Sequence, residues 1–310
     1  MAVRSQSIAA TGALARPGLL SRAFEHEAVF SWLMLAPAVL FLAALVAYPF
    51  AYGVYLSLED RQVAQEGTFV GLRNYVNNWN NPVFWQVTRN TFIFTVSATI
   101  FKLIGGVALA LVMNQQFRFK NLIRAALLLP WIVPTVLSTI AWMWIFDPTF
   151  SVINWSLVHA GLAEHGPSWV GDGFWAMVMV VIVNIWRGLP FYAITLLAAL
   201  QSISQELYEA AAIDGATAQQ RFWNVTLPLL KPVLIITTMF SVIWTFSDFQ
   251  LVYVLTGGGP SNQTHLFATY AFNIAMGAGQ LGSGASVALS MLPPLLMVIA
   301  ALSLYLRRAS

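Results

Sequence analysis

The sequence has no cysteine and very few charged residues. Only 9% of its 310 residues are Asp, Glu, Lys or Arg, whereas 58% are hydrophobic, and the mean hydropathy is +0.71. Soluble domains carry about 25% charged residues, so this composition excludes an ordinary soluble domain and indicates an integral membrane protein. The lack of cysteine excludes disulfides, thiolate metal sites and cysteine nucleophiles.

Nucleic-acid, metal and nucleotide sites are also absent from the sequence. The net charge of +3 is small, and no segment is basic enough to bind nucleic acid. No Walker A pattern occurs, so we expect neither a nucleotide site nor an ATPase domain. The histidines lack metal-ligand spacing, lie outside the apolar runs and are interpreted as solvated loop residues, which disfavours a membrane enzyme: His26, His159, His165 and His265.

Long apolar runs predict an all-α integral membrane protein with six transmembrane helices. About 20 residues cross the hydrocarbon layer, and the runs lie at roughly Val29–Leu56, Thr91–Met113, Leu122–Phe146, Phe174–Leu200, Val233–Thr256 and Ala285–Leu306. Residues 1–28 lack the apolar core and cleavage site of a signal peptide. We therefore expect a cytoplasmic tail at 1–28 and a transmembrane domain at 29–310.

The Lys and Arg residues predict the orientation, because cytoplasmic loops hold an excess of them. Only Arg61, Arg73 and Arg89 fall on the outer side, and the outer segments 147–173 and 257–283 have none. This distribution predicts that both termini are cytoplasmic. The cytoplasmic segments hold Arg4, Arg16, Arg22, Arg118, Lys120, Arg124, Arg221, Lys231, Arg307 and Arg308.

One long polar segment, Glu209–Pro232, separates two apolar blocks on the predicted cytoplasmic side. The dipeptide at 214–215 predicts a turn between two short helices. We expect a capping box of Ser202 with Gln205 before the first helix.

The second of these helices is predicted at Ala216–Asn224, capped by Asp214. Pro228 and Pro232 are expected to stop it and to redirect the chain. We call the whole segment, at about 201–232, the elbow.

The elbow closely resembles the EAA loop of binding-protein-dependent ABC importer permeases of the carbohydrate uptake family. That family's pattern is Glu-Ala-Ala, then Asp-Gly-Ala, then Leu-Pro, and the matching residues are Glu209, Ala210, Ala211, Asp214, Gly215, Ala216, Leu227 and Pro228. The alternative is an amphipathic surface helix that merely joins two spans.

Other stretches are similar to the same family, over nearly the whole chain from Val29. They are the Gly-Leu-x-Asn-Tyr segment within Gly71–Asn90, the Leu-Pro-x-x-x-Pro helix at 129–134, Trp186–Tyr192 and the Thr-Gly-Gly-Gly-Pro turn at 256–260. We expect Gly71–Asn90 to lie flat on the outer face, anchored by Trp79, Phe84 and Trp85. The proline-rich third span is either a bent packing helix or the wall of a wet pathway.

Charges inside a span are costly and mark candidate functional sites. Lys102, Arg187 and Asp248 qualify. Aromatic faces beside polar groups suit a sugar, so the candidate substrate pathway consists of Lys102, Trp186, Arg187, Trp244, Asp248 and Gln250. An internal ion pair between Asp248 and Arg187 or Lys102 is an equally open interpretation.

The resemblance implies the type I ABC importer permease fold, and a permease subunit that moves a sugar, oligosaccharide or polyol across the bacterial inner membrane by alternating access. It implies that Glu209, Ala210, Ala211, Asp214, Gly215, Arg221 and Pro228 couple the chain to an ATPase. It further implies a second homologous permease, two ATPase subunits and an extracytoplasmic solute-binding protein. This chain would bind no cofactor, and ATP-Mg would sit on the partner subunits.

Two alternatives fit the same sequence. Intramembrane cations would also suit glycerol-phosphate-type anionic solutes. A stand-alone secondary transporter is a further class, although the sequence contains no convincing inverted repeat.

Overall fold

The computed structural model describes residues 27–116 and 118–309, and describes side chains for residues 31–116 and 118–307. The predicted tail lies almost wholly outside the described residues, together with Arg4, Arg16, Arg22 and His26. The side chain of Arg308 also lies outside them. The chain divides into two compact units, Met1–Gly53 and Val54–Ser310.

The first unit is built from an apolar helix. Helix α1 spans Glu27–Leu42, a π-helical segment follows at Ala43–Ala47, and helix α2 spans Tyr48–Ser57 and so runs into the second unit. Residues Ser31–Ser57 are long and apolar enough to cross a membrane, and none of the most apolar window is buried within the chain. A helix that is apolar on all sides suits a lipid or protein environment.

The second unit is helical apart from one small hairpin. Strands β1 (Glu59–Asp60) and β2 (Thr68–Phe69) pair antiparallel. The helices are α3 (Arg73–Trp79), α4 (Pro82–Asn114), α5 (Lys120–Ile132), α6 (Thr135–Ile145), α7 (Val152–His159), α8 (Gly173–Gln201), α9 (Gln205–Ile213), α10 (Ala218–Arg221), α11 (Leu227–Phe246), α12 (Gln250–Leu255), α13 (Phe267–Phe272), α14 (Leu281–Ser290) and α15 (Leu292–Ala309), with π-helical segments at Phe222–Thr226 and Asn273–Gly277.

Among the described residues, five helical stretches are long and apolar enough to span a membrane. Besides Ser31–Ser57 they are Pro82–Asn114, Gly173–Gln201, Ala218–Phe246 and Leu281–Arg307. The predicted third span is broken instead, because α5 and α6 are bent by 96° relative to each other. Pro134 disfavours a helical conformation in the residue before it, and Val133 is extended, with ψ 131°. The described residues contain six candidate spans only if this bent pair is counted as one span.

The second helix of the elbow continues past the two prolines that were expected to stop it. A single helical stretch runs from Ala218 to Phe246 through the π-helical segment, so the prediction that Pro228 and Pro232 redirect the chain is wrong. Pro228 lies in the first turn of α11, where a missing N–H is tolerated. The π-helical segment just before it supplies the local adjustment.

The segment Gly71–Asn90 is helical and only partly exposed. It contains α3 and the start of α4, and the Asn74 side chain donates to the carbonyl oxygens of Ser57 at 2.9 Å and Glu59 at 2.8 Å. Trp79 and Trp85 are exposed, as an anchor requires, but Phe84 is buried against Phe267. The prediction of Phe84 as an interfacial anchor is therefore wrong.

Helices α4 and α8 form the closely packed centre of the second unit. A Cβ atom on Gly106 would lie 2.3 Å from the Tyr192 Cβ atom, so the glycine allows this approach. Side chains of these helices contribute to the buried apolar clusters, with Phe94 beside Val180 in one cluster and Met113 beside Leu196 in another. This packing holds two intramembrane polar residues, Lys102 and Asn184, next to each other.

Candidate functional site

A cavity of about 490 Å³ lies where α4, α5, α8 and α11 meet the short break before α12. It collects five of the six predicted pathway residues. Its lining consists of Lys102, Trp131, Asn184, Arg187, Gly188, Phe191, Ser241, Ile243, Trp244, Thr245, Ser247, Asp248, Phe249 and Gln250.

Three aromatic rings form one wall of this cavity. The Trp131 and Phe191 rings stack with centroids 5.6 Å apart, and the Trp244 ring lies 5.0 Å from Phe191 and 5.6 Å from Trp131. Trp131 and Trp244 each leave almost half of their surface exposed. This wall offers flat apolar surface that the apolar face of a sugar ring can contact.

The intramembrane charges are joined through an amide, and no direct ion pair forms between them. Lys102 Nζ donates to Asn184 Oδ1 at 2.9 Å and to Thr245 Oγ1 at 2.7 Å. Asn184 Nδ2 donates to Asp248 Oδ2 at 3.1 Å. Among the described residues, no salt bridge joins Asp248 to Arg187 or Lys102, so the direct ion pair, one of the two interpretations that the sequence left open, is not formed.

Asp248 owes its position to the end of a transmembrane helix. Helix α11 ends at Phe246, and the carboxylate Oδ1 accepts from the backbone N–H of Leu251 at 3.3 Å, in the first turn of α12. The first N–H groups of a helix lack backbone partners, and this carboxylate accepts from one of them. The break thus places a carboxylate at the cavity.

Arg187 lines the cavity without a fixed partner. Its side chain is half-buried, and it makes no hydrogen bond or ion pair to another described residue. It interacts electrostatically with both Asp248 and Lys102. Gly188 beside it makes room for the Lys102 side chain, whose Cδ atom would lie 2.7 Å from a Cβ atom at this position.

Trp186 does not belong to the cavity, and sequence reasoning missed several lining residues. The Trp186 ring packs edge-on against Trp142 with centroids 5.5 Å apart. Asn184 was missed, although it precedes Arg187 by three residues and so shares its helix face. Trp131 and Phe191 lay within the quoted motifs, but neither was assigned to the pathway.

The elbow is a short helix that ends in a tight turn. Helix α9 closes with two bonds: the Gly215 N–H donates to the Ala212 carbonyl at 3.1 Å and the Ala216 N–H to the Ala211 carbonyl at 2.9 Å. This pattern needs a residue in the left-handed region after the helix, and Gly215 has φ +79°. The predicted turn at 214–215 is therefore present.

The caps of the elbow helices differ from those predicted. Ser204, not Ser202, caps α9 by accepting from the Glu206 N–H at 3.3 Å. Thr217, not Asp214, caps α10 in a capping box with Gln220. Both predictions failed by two or three residues, because several polar residues here satisfy the same cap pattern.

The elbow presents a mixed surface. Glu209, Ala210 and Asp214 are exposed, and Ile213 is 87% exposed. The Tyr208 hydroxyl lies 3.0 Å from the Thr226 hydroxyl and ties α9 to the next span. Further members of the predicted coupling set lie there: Ala211 and Arg221 are half-buried, and Pro228 and Gly215 are exposed.

Comparison with known proteins identifies the family of this chain. Residues 102–309 match the family described as the inner membrane component of binding-protein-dependent transport systems. The chain belongs to this family. The trehalose/maltose transport system permease protein MalF of Thermococcus litoralis is 35% identical to this chain. The matched region covers 87% of this chain and 91% of MalF.

Further relatives are permease proteins of sugar transport systems. The sulfoquinovosyl glycerol permease protein SmoG of Agrobacterium fabrum is 34% identical over 84% of each chain. The diacetylchitobiose permease protein DasB of Streptomyces coelicolor is 34% identical over 84% of this chain and 81% of that protein. This chain is therefore a multi-pass transport permease and not itself an enzyme.

A solved structure has the same fold. A bacterial ABC transporter involved in import of the acidic polysaccharide alginate matches with a TM-score of 0.79 and 20% identity, covering 93% of this chain and 98% of that one. The predicted all-α permease fold is confirmed by this likeness and by the family match.

The Thr-Gly-Gly-Gly-Pro segment of the permease forms a tight turn. The Thr264 hydroxyl lies 2.7 Å from the Thr256 hydroxyl and donates to the Gly259 carbonyl at 2.6 Å. Asn90 Nδ2 of α4 donates to the Asn262 carbonyl at 3.0 Å, which fastens the turn to a transmembrane helix.

His265 follows this turn and is buried, contrary to its interpretation as a solvated loop residue. The residue is 3% exposed, and its ring nitrogens lie 3.1 Å from the Thr269 hydroxyl and 3.3 Å from the Asn273 amide. Burial lowers the pKa of His265. His159 and His165 are exposed, as predicted, and the described residues contain no His, Asp or Glu group that could hold a metal ion.

Proposed function

We propose that this chain is one permease subunit of an ATP-driven importer that takes up a sugar, oligosaccharide or polyol. The observation that carries the proposal is that the elbow connects the two helical stretches that wall the cavity. Gly173–Gln201 carries Asn184, Arg187 and Phe191 and ends at the elbow. Ala218–Phe246 begins at the elbow and carries Trp244, which lines the cavity, near its other end.

This connection supplies a mechanical path between the elbow and the cavity. The 14 residue-to-residue steps from Arg187 to Gln201 correspond to about 21 Å of helix. A displacement of the elbow would therefore move both walls, and the cavity would open alternately to the two sides of the membrane. Binding of substrate need then only favour one arrangement over the other.

The chain has no ATPase of its own in this proposal, so partners supply the energy. A second homologous permease completes the pathway, and two ATPase subunits with ATP-Mg bind the elbows through Glu209, Ala210, Ala211, Asp214, Gly215, Arg221 and Pro228. A solute-binding protein outside delivers the sugar. A solved bacterial alginate ABC transporter with the same fold forms a complex with an alginate pentasaccharide-bound periplasmic protein.

The cavity chemistry favours a sugar over a small anion. Lys102 and Asp248 compensate each other through Asn184, and the aromatic wall suits a sugar ring. Arg187 adds donors for ring oxygens or for an acidic group. The relatives at 34–35% identity are permeases of carbohydrate transport systems, which favours a carbohydrate over a glycerol-phosphate-type anion, although Arg187 would suit an acidic group in either.

In this proposal the permease lies in the bacterial inner membrane with both termini and the elbow in the cytoplasm. The elbow then faces the ATPases, and the turn at 256–264 faces the binding protein. The predominance of Lys and Arg on the elbow side supports this orientation.

Reconstitution tests the proposal. The chain is purified with its operon partners, placed in liposomes with its binding protein, and supplied with labelled maltose, trehalose, lactose, sulfoquinovosyl glycerol or alginate pentasaccharide. We expect ATP-dependent uptake of at least one sugar. A complex that contains an ATPase and a second permease but transports only glycerol phosphates would contradict the sugar assignment, and uptake by the chain alone without ATP would contradict the importer.

The same preparation tests the elbow. With Glu209→Gln and Gly215→Val combined, we expect the ATPase to be lost from the purified complex while the second permease remains. Retention of the ATPase at wild-type amounts would show that the elbow does not bind it.

A further inference from the structure

Asn184 occupies a position in α8 where one amide serves two opposite charges. Its Oδ1 accepts from Lys102 Nζ at 2.9 Å, and its Nδ2 donates to Asp248 Oδ2 at 3.1 Å. The three side chains are 6%, 3% and 9% exposed, respectively. An uncoordinated charge at this depth is costly, and this amide gives both groups a hydrogen-bond partner at once.

Asparagine is suited to this role because its amide carries an acceptor and a donor on one rigid plane. The remaining contacts complete the arrangement. Thr245 accepts a second hydrogen bond from Lys102 at 2.7 Å, and the Leu251 N–H donates to the other oxygen of Asp248. Both groups thereby have hydrogen-bond partners within the protein itself.

The amide also joins three separate parts of the chain. Lys102 lies in α4, Asn184 in α8, and Asp248 in the break between α11 and α12. The break carries Ser247 and Phe249 to the cavity, and Trp244 of the aromatic wall lies one helical turn before it. The bridge therefore holds the break that directly follows the helix carrying Trp244.

Arg187 lies three residues after Asn184 and remains outside the bridge. It lines the same cavity and makes no hydrogen bond or ion pair to any residue that the structure describes. A guanidinium offers five donors in a planar fork. It is matched by two neighbouring acceptor oxygens, as in a vicinal diol or a carboxylate.

We infer that Asn184 is a positioning residue, which holds the Lys102 and Asp248 side chains in fixed places in the cavity wall. Arg187 is then the charged group that contacts the substrate. The inference rests on the proposed function. It assigns Arg187 a pair of adjacent sugar oxygens, from either a neutral diol or an acidic group.

The first test exchanges the amide for a carboxyl group. Asn184→Asp keeps the acceptor for Lys102 but removes the donor to Asp248 until the introduced carboxyl is protonated. The charged groups at this site are Lys102, Asp248 and Arg187. We expect uptake by the variant to be reduced about tenfold at about pH 8, as for loss of a hydrogen bond to a charged group, and to recover towards the wild-type rate at about pH 5.5.

A purely structural role would not give this reversible pH profile in one preparation. The wild-type complex, measured over the same pH range, supplies the reference. A variant profile that superimposes on the wild-type profile after scaling overturns the inference, because the amide donor to Asp248 would then be dispensable.

The second test separates positioning from substrate contact. Asn184→Leu is expected to lower maximal uptake about tenfold or more, because it leaves both charges without the bridge. Arg187→Gln is expected to raise KM at least as strongly as it lowers maximal uptake. Thr99→Val is the matched control, since the Thr99 hydroxyl is buried on α4 without a hydrogen-bond partner, and we expect wild-type uptake.

The substrate panel distinguishes the two sources of the oxygen pair. If Arg187→Gln impairs uptake of alginate pentasaccharide or sulfoquinovosyl glycerol only, the pair is an acidic group, and if it impairs maltose or trehalose, the pair is a diol. Wild-type uptake of every substrate by both Arg187→Gln and Asn184→Leu overturns the inference. Failure of the wild-type complex to transport any of these sugars would instead contradict the proposed function.

Discussion

Gly215 is the residue on which the geometry of the elbow depends. Its φ of +79° lies in the left-handed region, and no atom lies within 4 Å of a Cβ added there. A substitution therefore meets conformational strain but no clash. The cost of placing an L-residue in this region is roughly 1–2 kcal/mol.

For Gly215→Val we expect loss of uptake and of stimulated ATP hydrolysis, with binding-protein docking unchanged, because the strain shifts the turn that the ATPase contacts. Uptake, ATPase activity and docking are measured on one preparation. Gly161→Val is the matched control, since Gly161 has φ +68° and equally open surroundings away from the elbow. Normal uptake by the Gly215 variant would count against the coupling role.

His265 gives the permease a pH-dependent element of stability. Burial lowers its pKa, so the unfolded chain takes up a proton at higher pH than the folded chain. The unfolded pKa is about 6.5, and where the unfolded state binds more protons, stability rises with pH. Stability is therefore retained above about pH 6.5 and lost as the pH falls towards the folded pKa.

We expect the thermal midpoint of the purified permease to decrease as the pH is lowered from about 7.5 to about 5. His265→Gln should weaken this pH dependence. Gln keeps an acceptor and a donor without titrating near neutral pH. His159→Gln serves as control, because His159 is exposed. Equal pH dependence in all three proteins would exclude His265 as its source.

At the scale of elements, the start of the 218–246 span depends on its cap. Thr217 Oγ1 accepts from the Gln220 N–H at 3.3 Å, and Gln220 Oε1 accepts from the Thr217 N–H at 2.8 Å. Removing an N-terminal cap costs about 1 kcal/mol. The π-helical segment that follows has no cap of its own.

For Thr217→Ala we expect about fivefold faster hydrogen exchange over residues 218–226, which corresponds to about 1 kcal/mol. Exchange of α8 should stay unchanged. Ser151→Ala, which removes the cap of α7, should accelerate exchange in that helix alone. Unaltered exchange at 218–226 would show that the bond between Tyr208 and Thr226 suffices to hold this start.

The break between α5 and α6 shows how an element changes role in the tertiary structure. The sequence favoured one span at 122–146, and the two prolines left open whether it packs or lines a pathway. The structure bends the pair by 96° and places Trp131 in the wall of the cavity. The interpretation as a pathway wall is thus supported at Trp131, just before the bend.

At the scale of the whole molecule, the orientation in the membrane decides which side the elbow faces. The chain contains no cysteine, so single introduced cysteines can be labelled without background. Asn224 on the elbow and Glu164 in the segment between α7 and α8 are both exposed.

We expect Glu164→Cys to react with a membrane-impermeant maleimide in intact cells, and Asn224→Cys to react only after the membrane is opened. The physical reason is the excess of Lys and Arg on the elbow side. Both variants are first tested for uptake, so that labelling refers to active protein. The reverse pattern would place the elbow outside and would contradict its contact with an ATPase.

The sequence by itself determined the membrane class, the approximate spans, the turn at Gly215 and the family. These properties follow from local features: long apolar runs, a glycine after a helix, and motifs contiguous along the chain. It also predicted five residues that meet at one cavity, because charges and aromatics inside a span are rare enough to stand out.

Only the tertiary structure decided how those residues are used. The bridge through Asn184, the burial of His265, the separate position of Trp186 and the entry of Trp131 into the cavity depend on which helix faces pack together. A neutral amide or an aromatic ring gives no signal of its partner in a mostly apolar sequence. Its role is fixed by contacts between helices far apart in the chain, such as the 2.9 Å bond between Lys102 and Asn184.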